Sequence, residues 1–126
     1  YPMDAGDTHH RFKELAVSLD EVKANFAAYG LLDGQVRFLK GWFSETLPQA
    51  PIEKLAIARL DGDMYASTIQ ALDALYPKVS AGGFVVIDDY FAVAGARKAV
   101  TDYRERHDIV EPILNIDDVG AFWRKK

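Results

Sequence analysis

Three aspartates, Asp61, Asp88 and Asp89, close two short apolar runs, and their type and spacing suit one kind of chemistry. The run Leu55–Leu60 (LAIARL) ends in Asp61, and the run 84–87 (FVVI) ends in Asp88 and Asp89. If both runs are parallel strands joined by a right-handed crossover, all three carboxylates stand at the same sheet edge. In open α/β sheets that edge, beyond the carboxyl ends of the strands, is where ligands bind. Two like charges about 4 Å apart repel by roughly 4 kcal/mol at an effective dielectric of about 20. The cluster must therefore keep a proton, at a raised pKa, or bind a cation. Oxygen-only donors favour Mg²⁺, Ca²⁺ or Mn²⁺ over zinc, and Mg²⁺ keeps waters that a substrate oxygen can replace. The competing account is that each aspartate caps the helix after it, Asp61 or Asp63 the first and Asp89 the second. Asp63 stays open between touching substrate, acting as a base and solvating a loop.

The elements that must position these groups can be read along the chain. Residues 1–14 are polar and irregular, a surface loop or tail, and His9 and His10 within it are either ligands, a purification tag or a solvated pair. Residues 18–30 predict a helix with a Ser18/Glu21 capping box, an apolar face of Leu19, Val22, Phe26 and Tyr29, and Gly30 closing it in a left-handed conformation. Residues 36–43 (VRFLKGWF) predict a strand, and 67–79 a helix with Ile69, Leu72, Leu75, Tyr76 and Val79 on one face. Ala81-Gly82-Gly83 predicts a turn. Residues 95–107 predict a third helix with Ala99, Val100 and Tyr103 inward, and 112–116 with 120–123 a closing hairpin turned by Asp117 and Asp118. Strands alternating with helices predict an α/β fold: a Rossmann-like, mostly parallel sheet covered on both faces, with a C-terminal antiparallel hairpin.

Composition narrows the function classes. The 126 residues suffice for one domain, here 1–126. Hydrophobic content of 49% and charged content of 27% are ordinary for a soluble globular protein. A net charge of −4 and the lack of a dense Lys/Arg stripe argue against a nucleic-acid partner. No apolar run approaches the ~20 residues of a membrane span. The absence of cysteine removes disulfide, thiolate and Cys-zinc chemistry and leads us to expect a cytoplasmic protein. The chain starts at Tyr1 instead of Met, which suggests a fragment or a processed product.

Other uses of the same acidic residues fit less well. Phosphatases of the haloacid dehalogenase type place a second Asp two residues after a nucleophilic one, as Asp61-Gly62-Asp63 does, but need more intervening chain before the distal acidic pair. An EF-hand loop starting at Asp61 would need Gly at its sixth position and Glu at its twelfth, where Ala66 and Leu72 stand. Ala81-Gly82-Gly83 precedes a strand, so it is no dinucleotide fingerprint.

The run LAIARLDGDMYASTIQALDALYPKVSAGGFVVIDDY, followed by ARKAVTDYR and GAFWRK and preceded by VSLDEVKANFAAYGLLDGQVRFLKGWFSETLP, resembles the TylF/macrocin O-methyltransferase family over nearly the whole chain. The resemblance implies a Mg²⁺-dependent, S-adenosylmethionine-dependent O-methyltransferase whose small-molecule acceptor is a hydroxyl, often on a sugar of a natural product. It places Asp61, Asp88 and Asp89 on the metal ligands. It places the general base on Asp61 or Asp63, with Asp61 favoured. Gly41, Trp42 and Phe43 fall where they could line an adenine pocket or simply pack. The Gly-rich loop and the acidic residue that class I methyltransferases use for the cofactor are absent. The chain thus resembles the C-terminal part of such a domain, without its first two strands. Unpaired strand edges recruit other chains, so a homo-oligomer, a dimer or domain swap, or a reordered sheet is expected. A non-catalytic Rossmann-like binding or assembly module is the alternative reading, and a metal-dependent phosphatase the least favoured one.

Overall fold

The computed structural model describes residues 1–6, 8 and 16–126; Asp7, His9 and His10 lie outside the described residues. The elements are α1 (Leu19–Ala28), α2 (Phe43–Thr46), β1 (Leu55–Leu60), α3 (Tyr65–Leu75), β2 (Val79–Ile87), α4 (Ala94–Arg106), β3 (Leu114–Asn115) and β4 (Ala121–Arg124).

Helix α1 begins as its sequence dictates. The Glu21 amide donates to Ser18 Oγ at 3.2 Å, and the Ser18 amide donates back to Glu21 Oε2 at 2.9 Å, which completes the capping box. Gly30, at φ +68°, donates to the Ala27 carbonyl while the Leu31 amide reaches Phe26, so the last turn closes in a Schellman motif. Leu19, Val22 and Phe26 are half-buried, but Tyr29 is 81% exposed and falls off the expected face. The Phe26 ring packs edge-on against Phe38 at 5.5 Å.

Residues 36–43 do not form the expected strand. They form no regular secondary structure, bend at Gly41 and enter α2, which starts at Phe43. A strand exists only where a neighbour satisfies its amides and carbonyls, and none of the described strands lies beside this segment. The helix expected over 67–79 begins two residues earlier and ends at Leu75, because Pro77 lacks an amide hydrogen and tightens Tyr76–Lys78 into a 3-10 turn. Val79 opens β2 instead. Ala81-Gly82-Gly83 is a bulge inside β2, not a turn before it: the pairing jumps from Leu55↔Val79 to Ile57↔Phe84.

The sheet order is β1-β2-β4-β3. β1 and β2 are parallel; β4 runs antiparallel to both β2 and β3, which gives the expected terminal hairpin within a mixed sheet. The Asp117 carboxylate accepts from the Val119 and Gly120 amides at 2.8 and 2.7 Å and shapes the hairpin turn. Ala58, Leu60, Val85, Ile87, Ala121 and Trp123 share one face, since alternate residues point the same way. They pack under Ile69 and Leu72 of α3 and Ala99, Val100 and Tyr103 of α4. Cover on both faces was expected; the described residues bury one. On the other, Ile57 is 60% and Phe84 37% exposed. Lys125 donates to the Tyr76 and Val79 carbonyls at 3.0 and 2.8 Å, placing a cation at the end of the α3 segment, where the helix dipole favours it. Among the described residues no helix is long and apolar enough to cross a membrane.

Candidate functional site

Parallel pairing decides where the acids stand. Leu60 lies beside Ile87, and the Asp88 amide donates to the Leu60 carbonyl at 3.0 Å. Asp61 and Asp88-Asp89 therefore leave neighbouring strands at one edge. After Asp61 the chain turns tightly: the Met64 amide reaches back to Gly62 at 2.6 Å, and Asp63 takes a left-handed conformation at φ +58°. A Cβ on Gly62 would lie 2.9 Å from Ser67 Oγ and 3.3 Å from the Phe43 ring, so only glycine lets the turn pack this closely.

Carboxylate oxygens of Asp61, Asp63 and Asp89 come within 4.8 Å of one another. Asp63 Oδ1 is buried and lacks a hydrogen-bond partner. Asp88 is at the same edge, but its Oδ1 is held by Arg59, with Nε at 3.1 Å and Nη2 at 2.6 Å. The same Nη2 lies 3.3 Å from Asp61 Oδ2. Burial, and then the Asp88 charge, push the Asp61 carboxyl above its usual range; Arg59 opposes that rise and Asp89 adds to it. The hydrogen bond and charge of Asp88 hold the Arg59 guanidinium firmly protonated. An oxygen-only cluster with one buried, unpartnered oxygen fits a hard divalent cation.

The helix-cap role weighed for Asp61 and Asp63 is filled from elsewhere. The N-cap of α3, Met64, offers no side-chain acceptor. Asp4, in a 3-10 turn over Pro2–Asp4, accepts from the Tyr65 amide at 2.7 Å and from the Ala66 amide at 2.9 Å. The Tyr1 and Tyr65 rings meet at 5.2 Å. This turn, expected as part of a loop or tail, is thus fastened to the helix directly behind the Asp61–Asp63 loop. Asp4→Ala is expected to cost about 1–2 kcal/mol and to speed hydrogen exchange at the Tyr65 and Ala66 amides. Unchanged exchange at both would remove Asp4 from this role.

Gly41, Trp42 and Phe43 line a cleft of ≈ 520 Å³ together with Gly62, Met64 and Ser67. Trp42 is 78% exposed, so a flat apolar surface stands open to a ligand beside the acidic loop. Two of the site's participants were not anticipated. Arg59 carried a signal, since a residue two positions before Asp61 on a strand shares its face. Asp4 carried none, because its partners lie far along the chain.

Comparison with known proteins adds to this geometry. The family profile described as Macrocin-O-methyltransferase (TylF) matches residues 1–125. The 8-demethyl-8-(2,3-dimethoxy-alpha-L-rhamnosyl)-tetracenomycin-C 4'-O-methyltransferase of Streptomyces olivaceus is 58% identical over 92% of the chain and 44% of its own length. The mycinamicin III 3''-O-methyltransferase of Micromonospora griseorubida is 49% identical over 99% of the chain and 50% of its own length. The solved structure of the O-methyltransferase NovP superimposes with a TM-score of 0.91 at 51% identity, covering 94% of the chain and 49% of that protein. The chain spans about half the length of the relatives it matches.

Proposed function

This chain belongs to the macrocin O-methyltransferase (TylF) family, and on that premise we propose that the protein transfers a methyl group from S-adenosylmethionine to a hydroxyl of a sugar-bearing or other natural product. The observation that carries the reading is the convergence of acidic side chains at the C-terminal ends of β1 and β2, next to a cleft with an exposed tryptophan. When bound, S-adenosylmethionine supplies an electrophilic methyl group on a sulfonium, and Mg²⁺ lowers the pKa of the hydroxyl that it holds.

The chain's own residues then have distinct tasks. Asp61, Asp88 and Asp89 would hold the ion, with Asp63 beside them as a further oxygen donor. Asp61, at the C-terminal end of β1, is the residue that takes the hydroxyl proton. Gly41, Trp42 and Phe43 line the cofactor's adenine side, where an aromatic face suits a flat heterocycle. The names of the two curated relatives, each an O-methyltransferase acting on a natural product, support the acceptor class. The domain limits belong to the same proposal: residues 1–126 form the C-terminal part of a class I methyltransferase domain.

Calorimetric titration of the chain with S-adenosylmethionine, with and without Mg²⁺, tests the reading. Saturable heat that grows with Mg²⁺ is the expected result. No heat under either condition would favour a non-catalytic binding or assembly module.

We also infer that the chain on its own self-associates. β1 is an edge strand, and Ile57 and Phe84 stand exposed on the open sheet face. Exposed edges and apolar patches recruit further chains. Light scattering after size-exclusion chromatography should give a dimer at micromolar concentration; a monomer throughout would refute it.

A further inference from the structure

Arg59 is the cation already in the acidic site, and its grip is specific. It sits two residues before Asp61 on β1, so both side chains leave the strand on the same face. Two of its nitrogens, Nε at 3.1 Å and Nη2 at 2.6 Å, converge on the single oxygen Asp88 Oδ1. Nη2 also spans to Asp61 Oδ2 at 3.3 Å. Carboxylate oxygens of Asp61, Asp63 and Asp89 come within 4.8 Å of one another beside this pairing.

An oxygen that accepts a charge-assisted hydrogen bond from one guanidinium nitrogen and forms an ion pair with a second at 2.6 Å has few directions left for a metal. Asp88 Oδ1 can serve as a ligand only after the guanidinium releases it. Arg59 also places a positive charge beside the position that a divalent ion must take. We propose that Arg59 is a built-in competitor for the divalent cation: it holds Asp88 and Asp61 in place when the ion is away and must be displaced from Asp88 when the ion binds. Arg59 is thus a positioning residue that sets the affinity of the site, and Asp88 has two alternative partners. The proposal rests on the divalent-ion reading given above.

The test is a Mn²⁺ titration followed by electron paramagnetic resonance of the free ion, with the native chain, Arg59→Met and the double variant Arg59→Met/Asp88→Asn. Removing a unit charge and freeing a ligand are expected to tighten Mn²⁺ binding by about tenfold in Arg59→Met. The double variant should lose that gain, because the freed ligand is gone. Damage to the fold would loosen binding, so tightening cannot come from a merely structural role. Arg59→Lys keeps the charge without the two-nitrogen grip and should fall between the native chain and Arg59→Met; it also serves if Arg59→Met does not fold. Native Mn²⁺ affinity in both single variants would overturn the competitor role while leaving the ion site standing. No Mn²⁺ binding by any of the proteins would overturn the ion site itself, and the competitor with it.

Discussion

Asp61→Asn in the intact enzyme is expected to cut turnover by at least ~10²-fold with the fold unchanged. The magnitude follows from losing two contributions at once. In the proposed mechanism the carboxylate helps to hold the cation and takes the hydroxyl proton, and removing a single preorganised electrostatic contact of this kind costs about 10²–10³ in rate. The substitution is close to isosteric, and the side chain is half exposed at 52%, so packing should not confound the result. Steady-state kinetics with the acceptor, beside a circular dichroism spectrum, checks it. Near-normal turnover would remove Asp61 from the chemistry. Asp63→Asn in the same assay would then show whether the residue with the buried, unpartnered oxygen is the base instead.

Trp123→Ala should be the most damaging single change to stability, at about 3–5 kcal/mol in urea unfolding. The indole is fully buried in β4, opposite Val85. Its ring lies 6.2 Å from Tyr76, and the Arg104 guanidinium stacks over it at 5.0 Å. Domains of this size are stable by only about 5–15 kcal/mol, so the loss takes a large share. Trp123→Phe keeps much of the volume and should cost less than half as much. A loss below about 1 kcal/mol for the alanine variant would mean that the region repacks, and that Trp123 is not the keystone between sheet and helices.

Much of this architecture could be read from local pattern. The two apolar runs became β1 and β2 because a continuous Val/Ile/Leu stretch with flanking turns has few alternatives, and the acids after them had to share an edge once the crossover was parallel. The capping box at Ser18 and the left-handed Gly30 were legible because both are contained within a few residues. Residues 36–43 misled because a strand is a property of a pair, and a propensity cannot reveal a missing neighbour. The bulge at 81–83 misled because consecutive glycines suit an interrupted ladder as well as a turn. Spacing was enough to put Asp61, Asp88 and Asp89 at one sheet edge, while the approach of Asp63 to Asp61 and Asp89, the Arg59–Asp88 pairing and the Asp4 cap depend on which side chains meet, which spacing alone does not specify.

One helix is fastened by residues from opposite extremes of the sequence. Asp4 binds the first amides of α3, and Lys125 binds the carbonyls that follow its last turn. Both fasteners close very long loops, so in refolding they are expected to form late, after the local turns and the β1–β2 pairing. The segment behind the acidic loop would then be the last to gain protection in a pulse-labelling experiment, and a trace of slow exchange there would mark the moment at which the whole polypeptide has come together.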